Sequence, residues 1–277
     1  MSRLRSVLST VAAEQRKAMG LFLTNGFPDL ESTVPLLRAL EAGGADFLEL
    51  GMPFSDPLAE GLPIQHSSAQ ALAGGVQMED AFRTVRAFRE NSDTPLLLMG
   101  YVNPILQYGP DNFCAAAGSS GADGLIIPDL PPEEAGLITE PAKKHHLDTI
   151  FLVAPNTPGG RAQAIDRLSE GFVYAVSVTG VTGAPLEHRM DTVVQYLARV
   201  RTIIQHNPLL AGFGVRTAED ARQLCRHADG FIAGSALVPV IETLWKDETL
   251  SMARRIAGVQ QFARRLSAAA APHPRLL

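Results

Sequence analysis

Short apolar and β-branched runs alternate along the chain with stretches whose apolar positions recur at helical spacing, the pattern of strand–helix units feeding a parallel sheet. Eight such runs read as strands: Gly20–Thr24, Phe47–Leu50, Leu96–Met99, Gly124–Ile127, Thr149–Val153, Val173–Val176, Leu209–Gly212 and Gly230–Ala233. Between them, Asp29–Glu41 ends at Gly43-Gly44, and Met78–Glu90 ends at Asn91-Ser92-Asp93, both readable helix stops. Eight units in 277 residues predict an α/β fold, a single-domain (β/α)8 TIM barrel with extra flanking helices at Arg3–Ala18 and Ser251–Ala271. An open doubly wound sheet is the competing topology, but no G-x-G-x-x-G follows the first strand. The domain is expected over 1–271. Pro272-His273-Pro274 cannot continue a helix, so 272–277 are expected as a disordered tail.

Composition narrows the function classes. A formal net charge of −5, with no Lys/Arg cluster longer than a dipeptide, offers no footprint for nucleic acid. No apolar stretch reaches the roughly 20 residues that span a bilayer, and residues 1–17 lack the apolar core of a secretory signal, so a cytoplasmic protein without membrane association is expected. Cys114 and Cys225 lie far apart in helix-like segments and read as reduced packing residues. The seven histidines form no H-x-x-x-H or H-x-H pair, so no metal is expected.

Candidate chemistry belongs where strands end, because the loops after the strands form the active face of such barrels. On the second strand Leu48 and Leu50 share one face, toward the helices, while Phe47 and Glu49 share the other. Glu49 therefore points into the barrel mouth. An unpaired carboxylate there is costly, and desolvation raises its pKa toward the value a proton shuttle needs; an internal salt bridge is the competing reading. The loop that follows, Gly51–Gly61, is rich in Pro and Gly and carries Asp56 and Glu60.

The segment LELGMPFSDPLAEG at 48–61 closely resembles the signature of tryptophan synthase alpha chains. The resemblance continues through FLTNGFPD (22–29), MGYVNPILQYG (99–109), IIPDLPPEE (126–134), YAVSVTGVTG (174–183), GFGV (212–215) and AGSALV (233–238), which covers nearly the whole chain. It implies a lyase that splits indole-3-glycerol phosphate into indole and glyceraldehyde 3-phosphate by retro-aldol cleavage. Glu49 matches the family's acid/base. Glu60 matches the second catalytic carboxylate, usually Asp, and where the family continues with Gly-Pro this chain has Gly61-Leu62-Pro63. Phe22, Tyr174 and Phe213 match positions lining the indole pocket, with Tyr101 and Leu98 as expected neighbours. Thr182, within a Thr179–Arg189 segment expected to act as a lid, matches a residue that orients the catalytic acid. Gly183 matches a phosphate contact.

Independently of the family, Gly212-Phe213-Gly214 and Gly234-Ser235, ahead of a helix starting near Ala236, occupy the place where these barrels hold phosphate on main-chain donors, with Arg216 as the nearest cation. Asp56 and Asp129 resemble positions at the family's subunit contact; a helix-entry cap before Pro131 is the other reading of Asp129. The resemblance implies a tryptophan synthase beta chain as partner in an α2β2 heterotetramer, with pyridoxal phosphate only in that partner and no cofactor in this chain. Two further readings stay open: a binding module that has lost its chemistry through Glu60, against which Glu49 argues, and a stand-alone lyase, against which Asp56 and Asp129 argue.

Overall fold

The computed structural model describes residues 2–176, 190–212 and 214–271. The segment Thr179–Arg189 with Thr182 and Gly183, the pocket candidate Phe213, and the terminal 272–277 lie outside the described residues. The strands are β1 (Ala18–Thr24), β2 (Phe47–Gly51), β3 (Leu96–Met99), β4 (Gly124–Ile126), β5 (Asp148–Val153), β6 (Val173–Val176), β7 (Leu209–Gly212) and β8 (Gly230–Ala233). They follow one another around a closed barrel, all parallel, and β8 pairs with β1 to complete the ring. Each expected strand is present, with its bounds shifted by no more than two residues.

Both faces of every strand are covered, which is why the strands read as nearly continuous apolar runs. One set of side chains, including Met19, Leu21, Leu23, Leu48, Leu50, Leu96 and Leu98, packs outward against the helices. The alternate set, including Phe22, Phe47, Leu97, Met99, Ile126, Ile150, Phe172, Tyr174, Leu210 and Ile232, fills the barrel itself. Strand alternation thus separates two cores with a backbone layer between them.

The N-terminal end of the barrel is sealed. Helix Arg3–Ala13 lies over it and sends Leu4, Leu8 and Val11 into the interior core. The sequence pattern carries this helix on to Ala18, but it stops at Ala13. Gln15 turns into the left-handed region (φ 55°), and Ala18 enters the barrel ladder by donating its N–H to Asp229 O. Strand pairing overrides the helical propensity of residues 14–18. The last helix is likewise shorter than Ser251–Ala271. Ser251 caps it at Arg254 N, it runs over Met252–Ser267, and Ala270 O instead accepts from Lys17 N beside the first strand. Cys114 and Cys225 are both free and buried.

Asp123 ties this sealed end together. Its carboxylate accepts from Leu96 N, from Arg89 Nη2 and from Arg3 Nη1, each at 2.8 Å. Arg89 also donates to the carbonyls of Gly121, Ser92 and Thr94. One carboxylate and one largely buried guanidinium therefore join β3, the entry to β4, the helix Met78–Arg89 and the N-terminal helix. Asp123→Ala leaves the Arg89 charge buried without its carboxylate, and is expected to lower unfolding stability by about 3–5 kcal/mol. A denaturant titration that showed the midpoint unmoved would contradict this role.

Candidate active site

β2 delivers Glu49 to the open end of the barrel. Its neighbour in register on β1 is Phe22, and on β3 it is Leu97. The side chain is fully buried, and among the described residues neither carboxylate oxygen has a hydrogen-bond partner. Burial, and next the nearby charge of Glu60, push its pKa up from 4.5 to about 8. Near neutral pH Glu49 holds a proton. Burial pushes Glu60 in the same direction, to about 7, although its residue as a whole keeps some contact with solvent. Two carboxyls that feel each other in one mouth, with the deeper one the weaker acid, make a pair in which one group is protonated while the other carries charge.

Glu60 is held by its backbone. Its N–H donates to Pro57 O at 3.0 Å, its carbonyl accepts from Gln65 Nε2 at 2.9 Å, and Gly61 O accepts from the first turn of helix Leu62–Ala73. Across the loop, Tyr101 Oη accepts from Ala59 N at 3.1 Å, and the Tyr101 ring stacks on Phe54 with centroids 5.1 Å apart. Nothing in the sequence pattern singles out Phe54; the only trace is that it is the one aromatic residue in the loop Gly51–Gly61. Asp56 is exposed, with Ser55 Oγ donating to its carboxylate.

The aromatic wall is assembled from β1 and β6. Phe22 packs so closely between β2 and the turn after β8 that a Cβ on Gly51 would lie 2.3 Å from its ring, and one on Gly234 would lie 2.8 Å from its own Cβ. Tyr174 leans over β7, where a Cβ on Gly212 would come within 2.5 Å of its hydroxyl. That hydroxyl is kept protonated by burial first, and then by the charges of Glu49 and Glu60. The two carboxyls, Phe22, Tyr174 and Tyr101 are thus brought to one place. Leu98 is a correction: it packs outward with Leu50 against the helices, and its neighbours Leu97 and Met99 point inward instead. The residue lies one position out of phase for a pocket.

At the far rim, Gly214 adopts φ +45°, a conformation that disfavours other residues. Gly234 and Ser235 lead into helix Leu237–Lys246, where Leu237 N donates to Gly234 O at 2.8 Å and, among the described residues, no side chain caps the first turn, so its following N–H groups can meet an anion. Asp129 serves as a cap, though not for its own segment: its Oδ1 accepts from Val102 N at 2.9 Å, at the start of helix Val102–Tyr108. A cavity of about 410 Å³ opens on the same face between the loops after β2, β4 and β5, lined in part by Leu58, Ala59, Asp129, Leu130 and Thr157. It borders the Glu60 loop without reaching either carboxylate. Among the described residues no cluster of His, Cys, Asp and Glu is arranged to hold a metal ion.

The chain resembles known proteins along its whole length. The family model described as tryptophan synthase alpha chain matches residues 8–267. The tryptophan synthase alpha chain of Roseiflexus castenholzii is 46% identical over 245 residues, covering 87% of this chain and 92% of that relative. That of Chloroflexus aggregans is 42% identical over 273 residues, covering 97% and 98%. Among solved structures, tryptophan synthase subunit alpha from Legionella pneumophila superposes with a TM-score of 0.86 at 36% identity over 98% of both chains. A structure of tryptophan synthase from M. tuberculosis in an open form superposes at 0.84, with 33% identity over 99% of this chain and 100% of that one. With the closed parallel barrel and two carboxyls at its mouth already in place, matches of this length and identity mean that the chain belongs to the tryptophan synthase alpha chain family.

Proposed function

We propose that Glu49 and Glu60 carry out the lyase reaction of this family, the retro-aldol cleavage of indole-3-glycerol phosphate in tryptophan biosynthesis. The observation that carries the reading is Glu49, fully buried at the barrel mouth with no partner for either oxygen among the described residues. A group held in this way is protonated in the resting site and close enough to neutrality to give and retake a proton.

In the proposed sequence, Glu49 donates its proton to the indole ring carbon that bears the glycerol chain. The ring system becomes cationic toward its N–H, and the carboxylate of Glu60 stabilises that charge. Glu49, now ionised, takes the proton from the hydroxyl on the adjoining glycerol carbon. The carbon–carbon bond breaks, its electron pair returns to the ring to restore indole, and the new carbonyl belongs to glyceraldehyde 3-phosphate. Glu49 ends the cycle protonated as it began. The chain's own residues supply all of the proton traffic in this sequence.

Phe22, Tyr174 and Phe213 would hold the indole ring. The phosphate would rest on main-chain N–H groups at Gly183, Gly214, Gly234 and Ser235, helped by the dipole of helix Leu237–Lys246. Thr182 would orient the acid from the segment after β6. We assign Asp56, exposed on the Glu60 loop, and Asp129 to the contact with a pyridoxal-phosphate-bearing beta chain in an α2β2 heterotetramer of the cytoplasm. Among the described residues no helix is long and apolar enough to cross a membrane.

Three outcomes follow. Glu49→Gln keeps the shape but cannot titrate, and is expected to lower turnover at least about a hundredfold while glycerol-phosphate binding survives; near-normal indole release would remove Glu49 from the chemistry. The same variant tests the burial. Because the folded-state pKa lies above the ordinary 4.5, the wild type loses stability as pH rises from 4.5 through about 8, whereas the substituted glutamine has nothing to ionise. Glu49→Gln is therefore expected to gain stability relative to wild type across that window in pH-dependent unfolding, and parallel curves would contradict the shift. Finally, Ser235→Asp places a negative charge at a partly exposed position beside the open helix turn, where it suits the helix but opposes an anion. The KM for substrate is expected to rise by about tenfold, some 1.4 kcal/mol, with the unfolding midpoint maintained; an unchanged KM would place the phosphate elsewhere.

A further inference from the structure

We infer that Tyr101 is a positioning residue for Glu60, holding the loop that carries this carboxylate at two points with one side chain. The inference rests on the role proposed above for Glu60. Glutamate reaches its target through three side-chain torsions, so its carboxylate is only as well placed as the backbone beneath it. That backbone runs from Pro53 to Gly61 over the mouth, and it meets Tyr101 near both ends. Phe54 stacks on the phenol ring with an interplanar angle of 27°, and the Ala59 N–H, one residue before Glu60, donates to the phenol oxygen.

Tyr101 is itself fixed. It is 7% exposed and stands immediately before helix Val102–Tyr108, whose first N–H is held by Asp129 across from β4. The chain of contacts therefore runs from Asp129 through Val102 and Tyr101 to Ala59 and Glu60. Since the phenol oxygen accepts in this contact, removing it frees a main-chain N–H next to the carboxylate and leaves the ring stack intact. Among the described residues, the titratable groups that bear on Glu60 are Glu49 from β2, Tyr174 from β6 and Tyr101 from the end of β3, with Asp129 also bearing on Tyr101.

The test is Tyr101→Phe, with Phe54→Leu as the variant that loosens the other anchor. If Tyr101 positions the carboxylate, kcat for indole release falls about ten- to a hundredfold while KM changes little, because a misplaced group costs transition-state stabilisation rather than substrate binding. A loosened Glu60 also gains solvent, so its pKa falls and the acidic limb of the kcat/KM profile moves to lower pH, a change that simple loss of stability would not produce. Phe54→Leu should move both readouts in the same direction. A raised KM with kcat intact would make Tyr101 a wall of the substrate pocket and overturn the inference, as would unchanged kcat and pH limb in both folded variants. Glu60→Gln, measured alongside, separates the two levels. Normal activity in Glu60→Gln defeats the reading of Glu60 itself, whereas an inactive Glu60→Gln beside a Tyr101→Phe that behaves as wild type defeats only the positioning role.

Discussion

Glu49 is a carboxyl group placed at the mouth of an apolar barrel with no hydrogen-bond partner among the described residues, and the arrangement around it follows from that constraint. Desolvation there works against the charged form, so the group keeps its proton to unusually high pH. A paired carboxylate in the same location would be a fixed anion, useful for binding a cation but not for moving a proton. The barrel tolerates the orphaned acid because protonation removes most of the burial cost.

The second carboxyl is held in a different manner. Glu60 rides on a loop, and the loop is pinned from beneath by main-chain hydrogen bonds and from the side by Tyr101. One acid belongs to a strand and shares the stiffness of the sheet, while the other depends on contacts that a neighbouring surface could tighten or release. Asp129 sits at the start of that second set of contacts, at the rim of the cavity lined by Leu58 and Ala59.

The opposite end of the barrel is built for stability. Helix Arg3–Ala13 plugs the interior, and Asp123 with Arg89 binds four elements into one charged but well-satisfied cluster. Charged groups at that end find their partners close at hand, whereas Glu49 at the mouth is surrounded by apolar strands. The two ends of the barrel thus divide stability from chemistry, as expected where the loops after the strands are free to carry function.

The eight strands and the inward face of β2 are legible in the sequence because both depend on local period: alternation places Glu49 and Phe47 on one side and Leu48 and Leu50 on the other whatever the rest of the chain does. The glycine turn after β8 is legible for a similar reason, since its backbone demands are local. Element ends are not. The helix expected to reach Ala18 stops at Ala13 because residue 18 is claimed by the ladder with β8, a partner more than two hundred residues away. Leu98 falls outside the pocket because proximity to a site says nothing of phase; Leu97 and Met99 take the inward positions. Phe54 leaves no sequence signal, and the grip of Tyr101 on the loop is equally hidden, because the stacking and the Ala59 hydrogen bond exist only once β2 and β3 lie side by side. The sequence by itself determined which residues alternate, where turns fall and which acid points inward, all consequences of backbone geometry over a few residues. Only the tertiary structure decided what those residues meet, since burial, pKa and partnership arise from segments far apart in the chain.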